Sequence, residues 1–397
     1  MDPSHVISIS DHRDPATMYR KDLNRRQLFN AGMAGLSAVA IAPHFAKADP
    51  AGLKPLEIGA TAPDFNLPGV DGKNYQLSDF KDAPVLAIIF TCNHCPTAQA
   101  YEQKIIDLTA NYKAKGVAVV CISPNDDKAL RLDELGFTDV SDSMADMKIR
   151  ASDRKFNFPY LYDGETQKTS FAYGALATPH VFVFDKNRKL QYHGRFDDTE
   201  TGPVKTPDTL NAIEAVLAGK TVSVPITRVR GCSTKWSDKR ASAVEHLAKC
   251  DAEPVALEKA DLKIIKNLAK NETKNYRLVN VWATWCGPCV AEMADFVLIN
   301  RMYRKRDFEM VTISVDKPED TAKALKALSE HHASNLNYIF TGEDQDALAE
   351  ALDKAWPGPV PHTILIAPGG KIVFRKTGEI DALALRRVLA DNLGRTH

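Results

Sequence analysis

The chain has no apolar run approaching the roughly 18 residues that a membrane-spanning helix needs, so a span of that kind is excluded. Charge of one sign is missing too: 51 Lys plus Arg balance 51 Asp plus Glu. There is no basic field for nucleic acid and no polybasic surface for a membrane. Cysteine is sparse. Seven in 397 residues cannot staple a disulfide scaffold, so their chemistry depends on position. With 44% hydrophobic and 26% charged residues, the composition is that of a globular protein, not a disordered one. The length suits two or three domains.

What is present begins with Asn24-Arg25-Arg26-Gln27-Leu28-Phe29, a weakly apolar stretch from Ala31 to Ala42, and Ala46-Lys47-Ala48. A twin arginine, a modest apolar region and a small-x-small site resemble a Tat export signal spanning 1–48. That resemblance implies a mature chain from near Asp49 and the bacterial periplasm as destination.

After it, one plan occurs twice. Pro84 to Phe90 is a continuous apolar run, the pattern of a strand buried on both faces, and Cys92-Asn93-His94-Cys95-Pro96 follows at once. A helical stretch from Thr97 to about Lys113 and a strand from Val117 to Ser123 come next. Val181 to Phe184 and Leu190 to His193 flank a turn as a hairpin, and Thr209 to Leu217 closes the unit. The second half repeats the order with Leu278 to Thr284, Cys286-Gly287-Pro288-Cys289, a helix from Val290 to about Lys305 and a strand from Phe308 to Val315. Thr321 to Leu328 reads as a helix, Thr363 to Phe374 as a hairpin and Ala382 to Leu393 as a last helix. The order predicts an α/β fold of two domains, each a mixed sheet covered on both faces. Ser237 to Ala252 is charged and helix-forming, and Glu253-Pro254 interrupts it. A helix from Glu258 to Lys270 is expected to pack on the second unit or lead into it.

A C-x-x-C that ends a buried strand and opens a helix lets two sulfurs meet in a short ring. The helix N-terminus favours the thiolate of one, and the other can attack a mixed disulfide to release a partner. Both pairs stand in that context. Zinc held by four thiolates is the competing reading, but each pair has its own strand and helix, far apart in the chain. Each half also places a proline before its hairpin: Thr178-Pro179-His180 and Val360-Pro361-His362. A cis X-Pro bond there would leave an open backbone edge beside the sulfurs for an extended substrate.

Trp282-Ala283-Thr284-Trp285-Cys286-Gly287-Pro288-Cys289 resembles the thioredoxin superfamily, nearest its TlpA/ResA-like periplasmic members, over roughly 256–397. Ile58-Gly59-Ala60-Thr61-Ala62-Pro63-Asp64-Phe65-Asn66-Leu67 and Leu77-Ser78-Asp79-Phe80-Lys81 resemble AhpC/TSA-type redoxins, over about 53–236, with 237–255 as linker. The tail Gly231-Cys232-Ser233-Thr234-Lys235-Trp236 is similar to the ending of bacterial redoxins that carry Cys-Asn-His-Cys-Pro. The resemblance implies thiol–disulfide exchange with protein thiols and disulfides and an upstream thiol donor, with no cofactor and no resident metal; the balanced charge and short apolar runs argue for no nucleic-acid partner and no stable membrane insertion. It makes Cys92 and Cys286 the attacking thiols, Cys95 and Cys289 the resolving thiols, and Pro179 and Pro361 the cis prolines.

The chain also departs from these families. Asn280 stands where thioredoxins keep a buried carboxylate, so a nearby Glu or a water must relay protons. The Pro and Thr that precede a peroxide-attacking cysteine are absent: Val85 and Ile89 stand before Cys92, Ile88 and Cys92 before Cys95. A thiol peroxidase re-reduced by its own second domain is therefore the alternative, and a Cys/His metal-binding module for metal delivery or cytochrome maturation is another. His94 is expected to stabilise a thiolate and make the first pair the more oxidising. Cys232 reads as either a third redox thiol or a buried cysteine, and Cys250 as a possible disulfide partner for it. Cys121 is expected in the core, His331-His332 on a solvated face, and Trp282 and Trp285 packed over the second pair.

Overall fold

The computed structural model describes residues 50 and 52–396; the export-signal segment lies outside them. Two sheets organise the chain. The first contains β1 (Val85–Phe90), β2 (Val117–Ser123), β3 (Tyr160–Tyr162), β4 (His180–Phe184) and β5 (Leu190–Gly194), in the spatial order β3-β2-β1-β4-β5. β1, β2 and β3 run parallel, and β4 and β5 return antiparallel.

Every residue of β1 is buried because both faces are covered. Val85, Ala87 and Ile89 meet α1 (Pro96–Tyr112), α2 (Met144–Asp153) and, further along the same face, α4 (Asp208–Leu217). Leu86, Ile88 and Phe90 meet Phe65, Leu67 and Tyr173, the last on α3 (Lys168–Tyr173). Alternation of side chains along a strand thus builds two cores from one apolar run.

The helix α5 (Arg240–Asp251) leads to the second sheet. Here β6 (Glu258–Ala260), β7 (Tyr276–Trp282), β8 (Phe308–Ser314), β9 (Leu336–Phe340), β10 (His362–Ile366) and β11 (Ile372–Thr377) stand in the order β6-β9-β8-β7-β10-β11. Its helices are α6 (Leu262–Lys270), α7 (Gly287–Tyr303), α8 (Thr321–Glu330), α9 (Gln345–Leu352) and α10 (Ala382–Leu393). No helix among the described residues is long and apolar enough to cross a membrane.

The opening strand, helix and second strand of the two units share one chain register, whereas the hairpin strands His180–Phe184 and His362–Ile366 are 182 residues apart. An offset of 191 residues carries Pro96–Tyr112 onto Gly287–Tyr303 and Val117–Ser123 onto Phe308–Ser314. One expectation fails: Glu258–Ala260 is not helical. It pairs parallel with Tyr338–Phe340 as an edge strand, and Asp261 then caps α6 by accepting from the Ile264 N–H at 2.9 Å. A capping aspartate after three residues breaks the helical reading there.

The units share a core. Leu130 and Leu135 of the first pack with Phe296, Ile299, Met302 and Tyr303 of α7 and with Leu385 and Leu389 of α10. Tyr303 Oη donates to the Thr138 carbonyl at 2.7 Å, and Arg395 meets Asp139 at 2.5 Å.

Candidate active sites

Each sheet delivers a helix N-terminus to the same place. β1 ends at Phe90, and the chain turns into α1 with Cys95 as its N-cap and Pro96 as first helical residue. β7 ends at Trp282, and α7 begins with Cys286 as N-cap and Pro288 in the first turn. Proline at these positions costs no helix hydrogen bond, because the first N–H groups have no intrahelical acceptor. In the 191-residue register Cys95, not Cys92, therefore coincides with Cys286. The counterpart of Cys289 is Ala98, and Cys92 lies three residues before the N-cap Cys95. The matched C-x-x-C spacing of the two motifs conceals this shift.

In the second site Cys286 and Cys289 form a disulfide. Cys286 Sγ also accepts from the Cys289 N–H at 3.3 Å. In the first site Cys92, Cys95 and Cys232 are all free thiols, with the first two buried. Cys92 Sγ lies 3.0 Å from Thr178 Oγ1 and 3.4 Å from His94 Nδ1. Cys95 Sγ lies 3.2 Å from the Thr178 carbonyl oxygen and accepts from the Cys232 N–H at 3.3 Å.

The charge of the first site comes from a residue with no marker in the sequence. Asp142, in the loop before α2, is wholly buried. Its Oδ1 accepts from the Asn93 and His94 N–H groups at 2.8 and 3.0 Å. Its Oδ2 meets His94 Nδ1 at 2.6 Å and accepts from Asn125 Nδ2 at 2.7 Å. Burial alone would raise the Asp142 carboxyl, but the His94 charge and these donors hold it below the usual carboxylate range. Burial would likewise lower His94; the Asp142 charge and hydrogen bond outweigh that and raise it. The buried pair thus favours the imidazolium form of His94 and the carboxylate form of Asp142.

This pair divides the two thiols. Burial, a hydrogen bond with Cys95 and the Asp142 charge push Cys92 well above the ordinary cysteine value. Burial would also raise Cys95, but hydrogen bonds from Cys232 and Cys92 and the His94 charge hold it well below that value. Of the three thiols Cys95 is the one whose ionisation is favoured, helped by the α1 N-terminus.

The second site carries no imidazolium. Asn280 donates from Nδ2 to Glu292 Oε1 at 3.3 Å and to Thr363 Oγ1 at 3.1 Å. Glu292, three residues beyond Cys289 on α7, accepts from the Ile380 N–H at 3.1 Å. Burial pushes its carboxyl up to about 7. This carboxyl lies one helical turn beyond Cys289 and hydrogen-bonds Asn280, the residue that stands where a buried carboxylate was expected. Asp316 holds the preceding turn, accepting from the Thr284 N–H at 2.9 Å.

The Thr178–Pro179 and Val360–Pro361 bonds are cis. The edge before Pro179 is not open, however: Ala177–Thr178 pairs antiparallel with Cys232–Ser233. Trp282 is buried in one cluster with Cys286 and Cys289, and Trp285 in the turn has 63% of its surface exposed. Cys250 does not meet Cys232; its Sγ accepts from Arg304 Nη2 at 3.1 Å and lies 3.7 Å from His246 Nε2. Cys121 is in the core. His332 lies against the Asp251 carbonyl at 2.9 Å instead of facing solvent alone.

Among the described residues one group of side chains is compact enough to hold a metal ion: Cys92, His94 and Asp142, with ligand atoms within 4.8 Å of one another. The His94 Nδ1–Asp142 Oδ2 bond already engages two of those three atoms, so the donor set fits an ion pair better than a cation site.

A family model described as Redoxin matches residues 57–213 and again 255–388. The chain belongs to the redoxin family. This redoxin is 30% identical over 95 residues to thiol-disulfide oxidoreductase ResA of Oceanobacillus iheyensis, covering 24% of the chain and 45% of that protein. It is 32% identical over 113 residues to thiol:disulfide interchange protein DsbE of Pseudomonas aeruginosa, covering 28% of the chain and 57% of that protein. The chain spans about half the length of these curated relatives. Among solved structures, the hypothetical protein SMc02350 of Sinorhizobium meliloti is 34% identical, over 46% of this redoxin and 97% of that chain, with a TM-score of 0.41. The fold is α/β with two thioredoxin-like domains, each a mixed sheet with helices on both faces.

Proposed function

We propose that this redoxin is a thiol–disulfide oxidoreductase with two redox centres, Cys92/Cys95 and Cys286/Cys289, exchanging disulfides with protein partners. The observation that carries the reading is the disulfide Cys286–Cys289 at the N-terminus of α7, one turn from a carboxyl whose pKa is about 7. A dithiol there can attack a partner disulfide, and Glu292 can take the proton that the resolving Cys289 must lose. Relatives named for the same chemistry support it.

At the first centre Cys95, not Cys92, is the attacking thiol. It holds the N-cap position of Cys286 and carries the lowered pKa, and His94 is its electrostatic support. Pro179 and Pro361 flank the two centres. Units at 53–236 and 256–397, joined by 237–255, are the domains of this reading. The twin-arginine segment supports Tat export to the periplasm, and the exchange chemistry calls for an upstream donor of reducing equivalents there. No cofactor or nucleic acid is required.

A redox titration of the chain, alkylated and read peptide by peptide, tests the proposal. Two centres that titrate reversibly support it. A first-centre peptide that never titrates reduces the chemistry to Cys286/Cys289. Peroxide-dependent loss of reducing equivalents through Cys95 supports the peroxidase alternative instead. For export, exported protein must begin near Asp49; a chain still starting at Met1 sinks that part.

A further inference from the structure

The strand that carries Cys232 occupies the place where an extended substrate would dock. Cys232 pairs with Thr178, the residue before Pro179, and Ser233 pairs with Ala177. The Thr234 N–H continues the pairing onto the Leu176 carbonyl at 3.2 Å, and Thr234 Oγ1 donates to the Ala175 carbonyl at 2.8 Å. Gly231 makes the approach feasible. Its φ of +137° is one that side-chain-bearing residues rarely adopt, and a Cβ there would sit 2.0 Å from the Thr178 carbonyl oxygen. In this register the Cys232 N–H donates to Cys95 Sγ, and its side chain packs against Cys92 and Cys95. No described strand pairs with Val360 in the second domain.

We propose that Gly231–Ser233 is a built-in substrate mimic whose Cys232 is the resolving thiol of the first centre, so that oxidation yields a Cys95–Cys232 disulfide while Cys92 stays a thiol. This rests on the reading of two centres above, and replaces Cys92 with Cys232 as the redox partner of Cys95 in the first. Antiparallel pairing at such an edge is how an extended peptide is held for exchange, and here the chain supplies the peptide and the sulfur itself. Cys92 is the poorer partner: it is buried and its sulfur is engaged by Thr178 Oγ1 and His94. With a low-molecular-weight disulfide as oxidant the step balances. The Cys95 thiolate attacks one sulfur of the disulfide, forming a mixed disulfide and expelling one thiolate. That thiolate takes the Cys232 proton. The Cys232 sulfur then attacks Cys95 Sγ and expels the second thiolate. Two electrons pass from the protein to the oxidant, which leaves as two thiol equivalents.

The test uses the full chain, reduced, desalted and exposed to oxidised glutathione, then acid-quenched, alkylated and mapped by mass spectrometry. Cys95–Cys232 cross-linked peptide is expected in about tenfold or greater excess over Cys92–Cys95. Cys232→Ser should halt with glutathione on Cys95, and Cys92→Ser should still close the cross-link. Gly231→Ala should lower its yield about tenfold by pushing the strand off the edge. A Cys92–Cys95 product, or an intramolecular disulfide formed by Cys232→Ser at the wild-type rate, overturns the proposal and leaves the two-centre reading intact. Cys95 left unmodified while Cys286–Cys289 forms overturns both. Wild-type cross-linking in Gly231→Ala overturns the role given to the pairing.

Discussion

The two helix N-termini of this redoxin hold cysteines in equivalent positions, Cys95 and Cys286, yet surround them differently. At the first, an imidazolium–carboxylate pair supplies fixed charge and the chain's own strand covers the edge. At the second, the neighbours are the amide of Asn280 and the titratable carboxyl of Glu292, and an aromatic ring projects into solvent at Trp285. Even the residue that orders the approach to the helix differs. Asp316 accepts from the turn directly, whereas its counterpart in the register, Asn125, acts through Asp142. A shared scaffold thus fixes where a thiol sits, and its neighbours fix its protonation and access. A buried ion pair biases a neighbouring thiol toward its thiolate, while a carboxyl near pH 7 can cycle a proton.

The largest effect should come from breaking the open centre. Cys286→Ser is expected to abolish reduction of a protein disulfide such as insulin, by about a thousandfold or more, if that centre alone handles large substrates. Retention of more than about a tenth of the activity would move that role to the first centre.

Asp142→Asn should collapse the charge contrast. Removing one partner of a buried ion pair costs about 3–5 kcal/mol, read as a shift in urea unfolding. Asp142 is lowered, so its stabilisation is lost as pH falls through its folded value. His94 is raised, so its stabilisation is complete below its unfolded value and lost as pH rises through its folded one. The gap between wild type and variant should therefore be widest between about pH 4 and 6.5. Alkylation of Cys95 in the variant should move to higher pH, and an unchanged alkylation profile would detach the ion pair from the thiolate.

Glu292→Gln probes the other side. The carboxyl is raised from 4.5 to about 7, so the folded state binds the extra proton and wild type loses stability as pH rises across that interval. The variant should gain roughly 3 kcal/mol on wild type between pH 4 and 8. The rate of Cys286–Cys289 exchange should lose its titration near pH 7, and a midpoint kept in the variant would assign the proton transfer elsewhere. The smallest effect is in the potentials. The first centre should be the more oxidising by at least about 30 mV, worth about 1.4 kcal/mol, because His94 stabilises its reduced, thiolate form. Equal potentials would remove the direction of electron flow that this implies.

Most of the sheet architecture is legible in the chain because buried central strands are continuous apolar runs: Val117–Ser123 is read residue for residue, and so is the last helix, Ala382–Leu393. Short edge elements are not. Tyr160–Tyr162 and Glu258–Ala260 have three residues each, too few for a period to show, and only their neighbours make them strands. Glu292 could have been found, since it lies one turn beyond Cys289 on a helix already predicted. Asp142 could not, because it follows Cys92 by some fifty residues in a loop without a motif.

The sequence by itself determined two copies of one α/β plan, a pair of cysteines beside each helix start and a proline before each hairpin. These are local properties, written in apolar runs and in spacings of a few residues. Only the tertiary structure decided that Cys95 takes the place of Cys286, that Asp142 charges His94, and that Cys232 lies across the edge beside Pro179. Those facts depend on strand register and on contacts between residues far apart in the chain, and packing alone brings such residues within reach.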